Sequence, residues 1–228
     1  MTDRAPGRRG GPWAWIALAC AIGFAILALI VNEQGAVAFD EPVIGFVKGL
    51  PVPTEAWIAI TEAGGAILVL ISIGIVIALL SMHRPRTALI YGVALAAASA
   101  WTYVVKVTIG RLRPPGEALV AASGFSFPSG HSLNSAVTYG LIALLIWRSA
   151  LPTPARRVTV VVLVILVVLI GLSRIALGVH YPSDVLGGWL AGTAIVATVA
   201  AFTRDGLGDE GEAGRRPDDG PPSATAPA

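Results

Sequence analysis

Residues 158–184, VTVVVLVILVVLIGLSRIALGVHYPSD, combine two features that recur along this chain. Residues 158–177 are mostly Val, Leu and Ile, and at ~1.5 Å per residue a helix of this length crosses the ~30 Å hydrocarbon core of a bilayer. The segment then ends in charged and histidine side chains, among them His180. Two of the three histidines, His131 and His180, lie at the ends of apolar runs. Packing alone does not explain that placement.

The composition indicates a membrane protein. Of the 228 residues, 55% are hydrophobic and 13% are charged. A soluble domain of this size needs more charged surface, so lipid is the expected solvent for most of the chain. The formal net charge of +2 comes mostly from arginines beside apolar segments, which gives little support to nucleic-acid binding. Cys20 is the single cysteine, so an intramolecular disulfide is excluded.

Long apolar runs separated by polar, Gly-rich or Pro-rich segments make up most of the chain. They cover 13–31, 57–80, 88–107, 131–147, 158–177 and 184–202. In lipid, only helices and closed barrels satisfy their backbone groups, and the alternating segments of a barrel do not occur here. We therefore predict an all-α polytopic membrane protein whose six transmembrane helices form a domain over 13–203.

The flanking segments are polar. Residues 1–12 and 204–228 have the composition of disordered cytoplasmic ends, and residues 40–50 are compatible with a short interfacial helix. A signal peptide is the competing interpretation of the first run. We disfavour it because the run is long and no cleavage site followed by a soluble domain comes after it. The pairs at 64–65 and 187–188 are both Gly-Gly and predict close helix contacts.

Basic residues in the short loops predict the orientation. If six helices alternate, one side of the membrane carries Arg4, Arg8, Arg9, Arg84, Arg86, Arg148, Arg156, Arg157 and Arg204. That side, with both termini, should be the cytoplasmic face of a cytoplasmic (inner) membrane. Lys106, Arg111, Arg113 and Arg174 then lie at the outer, periplasmic face against the trend, which suggests that a function requires positive charge there.

The outer-face residues are suited to phosphate chemistry. Several cations, together with amides at the start of the fourth helix, form an anion site, and phosphate matches the planar fork of arginine and the positive helix end. The sequence Pro128, Ser129, Gly130, His131 supplies a capping serine and a glycine that permits close backbone approach. Such a site can stabilise a phosphoryl group during transfer.

His180 and Asp184 are spaced i, i+4, although Pro182 argues against a regular helix through both. A turn would still let the carboxylate accept from one ring nitrogen and leave the other nitrogen free to attack phosphorus. A second histidine, His131, is the candidate donor of a proton to the leaving oxygen, because its unperturbed pKa near ~6.5 suits acid and base catalysis.

Three motifs together resemble the signature of the type 2 phosphatidic acid phosphatase family, whose members include membrane lipid phosphatases and soluble vanadium haloperoxidases. They are Lys106 followed by Arg113 and Pro114, the PSGH sequence at 128–131, and Ser173 and Arg174 followed by His180 and Asp184. The resemblance implies that His180 forms a phosphohistidine, that Asp184 orients it, and that His131 protonates the leaving group. It implies no metal ion and no other cofactor. The substrate-binding set that it implies comprises Lys106, Arg113, Pro114, Ser129, Gly130 and Arg174.

The expected activity is hydrolysis of a lipid phosphate or diphosphate. Undecaprenyl diphosphate, phosphatidic acid and phosphatidylglycerol phosphate are the candidate substrates, and the outward-facing site of a small bacterial-type membrane protein favours prenyl diphosphate. A lipid phosphotransferase on the same scaffold and a non-catalytic lipid-phosphate binding or transport protein are the alternatives. Membrane lipids are the other expected partners, and the sequence does not indicate an oligomeric state. It also leaves open whether Arg111 contacts phosphate or head groups, and what Glu62 and the 32–56 loop do.

Overall fold

The computed structural model describes residues 11–32 and 36–203, and these ranges contain helices and connecting segments but no strand. The helices are α1 (Pro12–Asn32), α2 (Asp40–Lys48), α3 (Thr54–Glu62), α4 (Ala66–Ser81), α5 (Pro85–Ile109), α6 (Gly130–Trp147), α7 (Thr153–Ala176) and α8 (Pro182–Phe202). The prediction of an all-α fold is confirmed. The polar ends predicted to be disordered lie outside the described residues, except that α1 already begins at Pro12.

All six apolar runs correspond to helical segments. Within the described ranges, five segments are long and apolar enough to cross a membrane, and they are Pro12–Val31, Thr54–Ser81, Pro85–Ile109, Thr153–Ala176 and Pro182–Phe202. The sixth, α6, is more polar and packs between α5, α7 and α8, where Ser132, Ser135 and Thr138 are fully buried. The helix that carries the PSGH motif at its start is therefore packed between three others and buries polar side chains.

The second apolar run is interrupted in the structure, although the sequence predicts one continuous helix over 57–80. A turn at 63–65 separates α3 from α4. The Ala63 carbonyl, freed by the break, accepts a hydrogen bond from the Tyr139 hydroxyl at 2.7 Å. A Cβ on Gly64 would lie 2.5 Å from Ile170 Cγ2 of α7. The Gly64-Gly65 pair therefore serves both a helix contact, as predicted, and a break that the periodicity did not indicate.

The second Gly-Gly pair brings α8 against α6 and the segment before it. A Cβ on Gly187 would lie 2.5 Å from the Phe127 ring, and one on Gly188 would lie 2.7 Å from the Ser129 carbonyl oxygen. Real Cβ contacts are not this short, so only glycine permits this approach. The first turn of α8, which carries Asp184, is consequently held directly beside the PSGH motif.

Alternating helix directions place all the motif residues at one end of the bundle. This end contains the C-terminus of α1, helix α2, the N-terminus of α3, the C-terminal ends of α5 and α7, the 110–129 segment, and the N-terminal ends of α6 and α8. At the opposite end, Arg148 follows α6 and donates to the Ala200 and Thr203 carbonyls, which closes the C-terminus of α8. The predicted helix near 40–50 exists as α2, and it packs against α7 and α8.

Candidate active site

The segment between α5 and α6 is folded around the Arg113 guanidinium. Helix α5 ends at Gly110, whose φ of 66° is the left-handed conformation typical of a glycine cap. Beyond it, Arg113 donates to the carbonyls of Ser123 at 2.7 Å, Gly124 at 3.1 Å and Val179 at 2.7 Å. One side chain therefore joins two parts of this segment to the connection between α7 and α8, and its charge is fixed at the mouth of the site.

The PSGH motif forms the N-terminus of α6. Ser129 is the N-cap residue, and its hydroxyl oxygen accepts from the Ser132 hydroxyl at 3.0 Å and the Ser132 amide at 3.4 Å. The Ser129 amide donates to the Asp184 carbonyl at 3.0 Å. The amides of Gly130 and His131 belong to the first helical turn, where the helix itself offers no acceptor. These two amides, and not the Ser129 amide, are therefore the ones oriented for an anion.

His180 lies in the short connection between α7 and α8, and its side chain is 3% exposed. Its Nδ1 is 3.3 Å from Asp184 Oδ2, and its Nε2 is 3.3 Å from a terminal nitrogen of Arg113. Pro182 is the first residue of α8, so His180 precedes the helix while Asp184 belongs to its first turn. The predicted turn geometry is therefore present, and the carboxylate also accepts from the Tyr181 amide at 2.8 Å.

The protonation state of His180 follows from its surroundings. The pKa of His180 is lowered to about 4: burial is the largest cause and the charges of Arg113 and Lys106 add to it, whereas the hydrogen bond and charge of Asp184 act in the opposite direction. The imidazole is therefore neutral at pH 7. With the Nδ1 proton donated to Asp184, the Nε2 lone pair points towards the cationic side of the site, as a nucleophile requires.

The other motif residues converge on the same place. Lys106 donates through Nζ to the Phe125 carbonyl at 2.5 Å, and Arg174 donates to the Thr61 hydroxyl of α3 at 2.7 Å. His131 interacts electrostatically with Arg174, His180, Lys106 and Arg113. The structure thus brings together the three cations, both histidines and Asp184, although these residues come from four helices and two connecting segments.

The α3–α4 break contributes to the site in a way that the sequence did not indicate. A Cβ on Gly65 would lie 3.3 Å from His131 Nε2 and 3.7 Å from Glu62 Oε2, so the His131 ring lies directly against the turn. Glu62 is exposed and interacts electrostatically with Arg174. The turn therefore forms the wall behind His131, with Thr61 and Glu62 on the side of Arg174.

Pro114 has a different position from the other predicted binding residues. It lines a small cleft together with Lys48, Glu117 and His180. Proline has no backbone N–H, so Pro114 cannot donate to a phosphate oxygen. Its contribution is to shape the segment that follows Arg113.

Three contacts of Asp184 or its partners were not predicted from the sequence. The Ser126 hydroxyl donates to Asp184 Oδ2, Arg111 donates to Asp184 Oδ1, and Asp40 pairs with Arg111. Arg111 stood out in the sequence only as a cation against the topological trend, and both roles considered for it involved substrate. Asp40 lies in an ordinary amphipathic stretch, and its sequence carries no signal of its burial.

An apolar groove of about 870 Å³ opens between α1, α5 and α8. Its lining residues include Phe24, Trp101, Val105 and Ala194. The Phe24 ring stacks on the Phe127 ring with centroids 5.6 Å apart, and Phe127 precedes the PSGH motif directly. The next residue after Val105 is Lys106. The groove therefore begins beside the cationic site and continues along the lipid-facing side of the bundle.

Comparison with known proteins identifies the family. Residues 87–206 match the family model of the PAP2 superfamily. The chain belongs to this superfamily. The predicted resemblance to type 2 phosphatidic acid phosphatases is thereby confirmed at the level of the family.

Two curated PAP2 relatives are similar over parts of the chain. Phosphatidylglycerophosphatase B of Bacillus subtilis is 40% identical over 100 residues, which are 43% of this chain and 49% of the relative. Decaprenylphosphoryl-5-phosphoribose phosphatase of Mycobacterium tuberculosis is 37% identical over 125 residues, which are 53% of this chain and 61% of the relative. The matches thus span about half to three-fifths of the length of these relatives.

Solved structures extend the similarity to the whole bundle. A transmembrane PAP2 type phosphatidylglycerolphosphate phosphatase from Bacillus subtilis superimposes with a TM-score of 0.72 at 29% identity, covering 83% of this chain and 96% of that chain. Aquifex aeolicus LpxE superimposes with a TM-score of 0.56 at 18% identity, covering 73% and 96%. The second likeness concerns the fold alone. This PAP2 protein is therefore a multi-helix membrane protein, as its apolar runs predicted.

Proposed function

We propose that this PAP2 protein hydrolyses a lipid phosphate or diphosphate through a phosphohistidine on His180. One observation carries the proposal: a buried imidazole is held by Asp184 so that its Nε2 faces Arg113 of the segment between α5 and α6. A histidine that only filled space in the bundle would not need a carboxylate on one nitrogen and a guanidinium on the other. The same arrangement supports a nucleophile whose target is an anion.

In the first step, His180 Nε2 attacks phosphorus and the bond from phosphorus to the lipid oxygen breaks. His131 takes up a proton when the anionic phosphate binds beside it and donates that proton to the leaving oxygen. Negative charge on the phosphoryl oxygens is stabilised by Lys106, Arg113 and Arg174 and by the first amides of α6. The lipid leaves as an alcohol, or as a monophosphate if the substrate is a diphosphate, and phosphorus remains bound to His180.

In the second step, water attacks the phosphohistidine. His131 accepts a proton from the water, the bond from phosphorus to Nε2 breaks, and inorganic phosphate leaves. Asp184 holds the Nδ1 proton throughout and stabilises the positive charge that the ring acquires when Nε2 is bonded to phosphorus. The cycle restores neutral His180 and returns to His131 the proton that it gave to the leaving group, and it requires no metal ion or other cofactor.

The proposed substrate class is a lipid with a terminal phosphate. Three cations and two helix amides around one phosphoryl group favour a phosphate with three unsubstituted oxygens over a phosphodiester, which has two. The groove between α1, α5 and α8 supports a position for the apolar tail, because it begins next to Lys106 and Phe127. The relatives named above support testing phosphatidylglycerol phosphate and decaprenylphosphoryl-5-phosphoribose beside undecaprenyl diphosphate and phosphatidic acid.

We further propose that the site faces the outside of the cytoplasmic membrane. The support is the distribution of basic residues. Arg84 lies just before α5 and Arg86 near its start, while Arg148 follows α6 and Arg156 and Arg157 lie near the start of α7. All five are at the end opposite the site. An excess of Lys and Arg in short loops marks the cytoplasmic side. Both polar chain ends, 1–12 and 204–228, then lie in the cytoplasm.

The orientation can be measured with single cysteines in a Cys20→Ala background. Ser123→Cys is at the site end and Leu151→Cys at the opposite end, and both positions are exposed. A membrane-impermeant maleimide added to intact spheroplasts should label only Ser123→Cys, and lysis should make Leu151→Cys reactive. Labelling of Leu151→Cys alone before lysis would reverse the proposed orientation.

The activity is tested by phosphate release from the four lipids in detergent, with a phosphodiester lipid as the negative substrate. Purified wild type and His83→Ala, which changes an exposed histidine at the far end of the bundle, should release phosphate, whereas His180→Ala should not. Transfer of phosphate to an added lipid without equal free phosphate would indicate a phosphotransferase, and binding without turnover would indicate a carrier. Activity should persist in excess EDTA, and a loss restored by one divalent ion would refute the metal-free mechanism.

A further inference from the structure

A buried ionic network continues from Asp184 away from His180. Arg111 donates to Asp184 Oδ1 at 2.5 Å and, through its other terminal nitrogen, to Asp40 Oδ2 at 3.0 Å. The side chains are 2% exposed for Arg111 and 0% exposed for both aspartates. One cation therefore lies between two carboxylates, with no access to bulk water, directly behind the residue that orients the proposed nucleophile.

Asp40 is itself fixed by several donors. Its Oδ1 accepts from the Ser183 amide at 2.8 Å, and its Oδ2 accepts from the Ser183 hydroxyl at 2.8 Å and from the Val37 amide at 2.8 Å. Ser183 precedes Asp184 in the first turn of α8, so Asp40 takes up an amide that the helix leaves without a partner. The first residue of α2 is thus attached to the helix end that carries Asp184.

Arg111 is held equally firmly. It donates to the Ser183 hydroxyl at 2.7 Å, and its guanidinium carbon lies 4.2 Å from the centre of the Tyr181 ring. Both contacts use the flat guanidinium, which a lysine ammonium cannot reproduce. Arg111 therefore contacts the residues on either side of Pro182, and neither of the substrate contacts considered from the sequence accounts for this buried position.

Stability alone is a weak explanation for this network. Burying a charge group removes its hydration, and replacing a buried ion pair by well-packed apolar residues is often neutral or stabilising. The network does, however, determine where the Asp184 oxygens point. Oδ2 accepts from Ser126, Tyr181 and His180, while Oδ1 accepts from Arg111, so the carboxylate cannot rotate without losing one of these sets.

We infer that Asp40 and Arg111 are positioning residues for the reaction, acting on His180 through Asp184. The inference rests on the proposed function. Arg111 keeps Asp184 charged and in one rotamer, Asp40 keeps Arg111 in place, and His180 is thereby held in the tautomer that leaves Nε2 free. Helix α2 is consequently part of the active-site structure, which assigns a role to the segment that the sequence left open.

The first test compares neighbouring acidic residues of α2. Asp40→Asn removes the buried charge, and Glu41→Gln removes an exposed charge from the next position. With a short-chain phosphatidic acid in detergent, Asp40→Asn should lower kcat about 10- to 100-fold with KM within about twofold, because a displaced catalytic group costs rate more than binding. Glu41→Gln should stay within about twofold of wild type. Equal kcat values for the two variants would overturn the inference.

The second test asks whether Asp40 acts through Asp184. In an Asp184→Asn background, single-turnover phosphate release from radiolabelled short-chain phosphatidic acid should fall less than about twofold when Asp40→Asn is added, since the group that transmits the effect is already changed. A full additional 10- to 100-fold loss would show an independent structural effect and would refute the inference. The same protein samples are compared by thermal unfolding in detergent.

A third test uses Arg111→Lys, which keeps a cation between the two carboxylates but lacks the planar guanidinium. This variant is less prone to misfold than one in which the charge is deleted. It should lower the rate of phosphoenzyme formation about 10-fold or more while the inhibition constant of inorganic phosphate changes less than about twofold, because the phosphate-binding residues are untouched. A weaker phosphate affinity with an unchanged phosphorylation rate would instead place Arg111 on the substrate. If His180→Ala and Asp184→Asn both keep wild-type turnover, the proposed function fails together with this inference. If both lose turnover while Asp40→Asn and Arg111→Lys match wild type, only the inference fails.

Discussion

The burial of a neutral His180 predicts a specific dependence of stability on pH. Its pKa is about 4 in the folded protein, compared with ~6.5 for an unperturbed histidine. The folded pKa is the lower one, so between these values the unfolded chain binds a proton that the folded protein does not. Stability from this residue is therefore fully present above pH ~6.5 and is lost as the pH falls towards 4.

The magnitude follows from the same two values. At pH 4.5 the difference in proton binding corresponds to about 2 to 3 kcal/mol, at ~1.4 kcal/mol per pKa unit. For a chain of this size that is a decrease of roughly 5 to 10 °C in the temperature of unfolding. His180→Asn removes the titrating ring but keeps an amide donor near the position of Nδ1, so it should lose about that much less stability between pH 7.5 and 4.5 than wild type does.

The assay is thermal unfolding in one detergent at pH 7.5 and pH 4.5. His83→Asn is the matched control, because His83 is exposed and adopts a φ of 54°, a conformation that asparagine tolerates. This control should show the wild-type difference between the two pH values. If wild type and His180→Asn lose the same amount of stability, His180 is not buried as a neutral ring, and the argument for its nucleophilic state is wrong.

Three further outcomes are expected. Asp184→Asn should lower kcat for phosphate release by about 10²- to 10⁴-fold at near-normal protein abundance, since an amide no longer selects the correct tautomer of the proposed nucleophile. An unchanged kcat would remove Asp184 from the mechanism. Gly188→Val should lower the unfolding temperature and kcat together, because its Cβ would lie 2.7 Å from a backbone oxygen, whereas Gly92→Ala, with open space around it, should do neither. Ala194→Trp fills part of the groove and should reduce kcat/KM for long-tailed lipids more than for short-chain ones. The control Val162→Trp changes an exposed residue of α7 and should affect both tail lengths equally. Equal losses of kcat/KM for both tail lengths in Ala194→Trp would contradict the proposed tail position.

Much of the fold could be predicted because hydrophobic run length alone determines where a chain crosses a membrane. Convergence of Lys106, His131 and His180 could also be predicted, since alternating helices bring their ends to one face. The α3–α4 break could not, because it depends on how closely the Gly64-Gly65 turn approaches neighbouring helices. An apolar run gives no information about such an approach.

Contacts between distant parts of the chain were the main gap at the site. Asp40 and Arg111 are 71 residues apart, and their pairing depends on α2 folding onto the first turn of α8. Local spacing indicated that His180 and Asp184, four residues apart, could contact each other. It gave no information about contacts with residues as distant in sequence as Asp40 and Arg111. The hydrogen bond from the Ser129 amide to the Asp184 carbonyl could not be predicted for the same reason, because its acceptor lies in another helix.

The hydrogen bond from the Ser129 amide to the Asp184 carbonyl connects the two halves of the reaction centre. Asp184 contacts His180, the proposed nucleophile, through its side chain and holds the first turn of α6 through its main chain. Under the proposed mechanism, a change in the tilt of α6 and α8 would therefore displace the first amides of α6 and the His180 ring together. The proposed phosphate-binding turn and the proposed nucleophile are thus fixed relative to each other through one residue, Asp184.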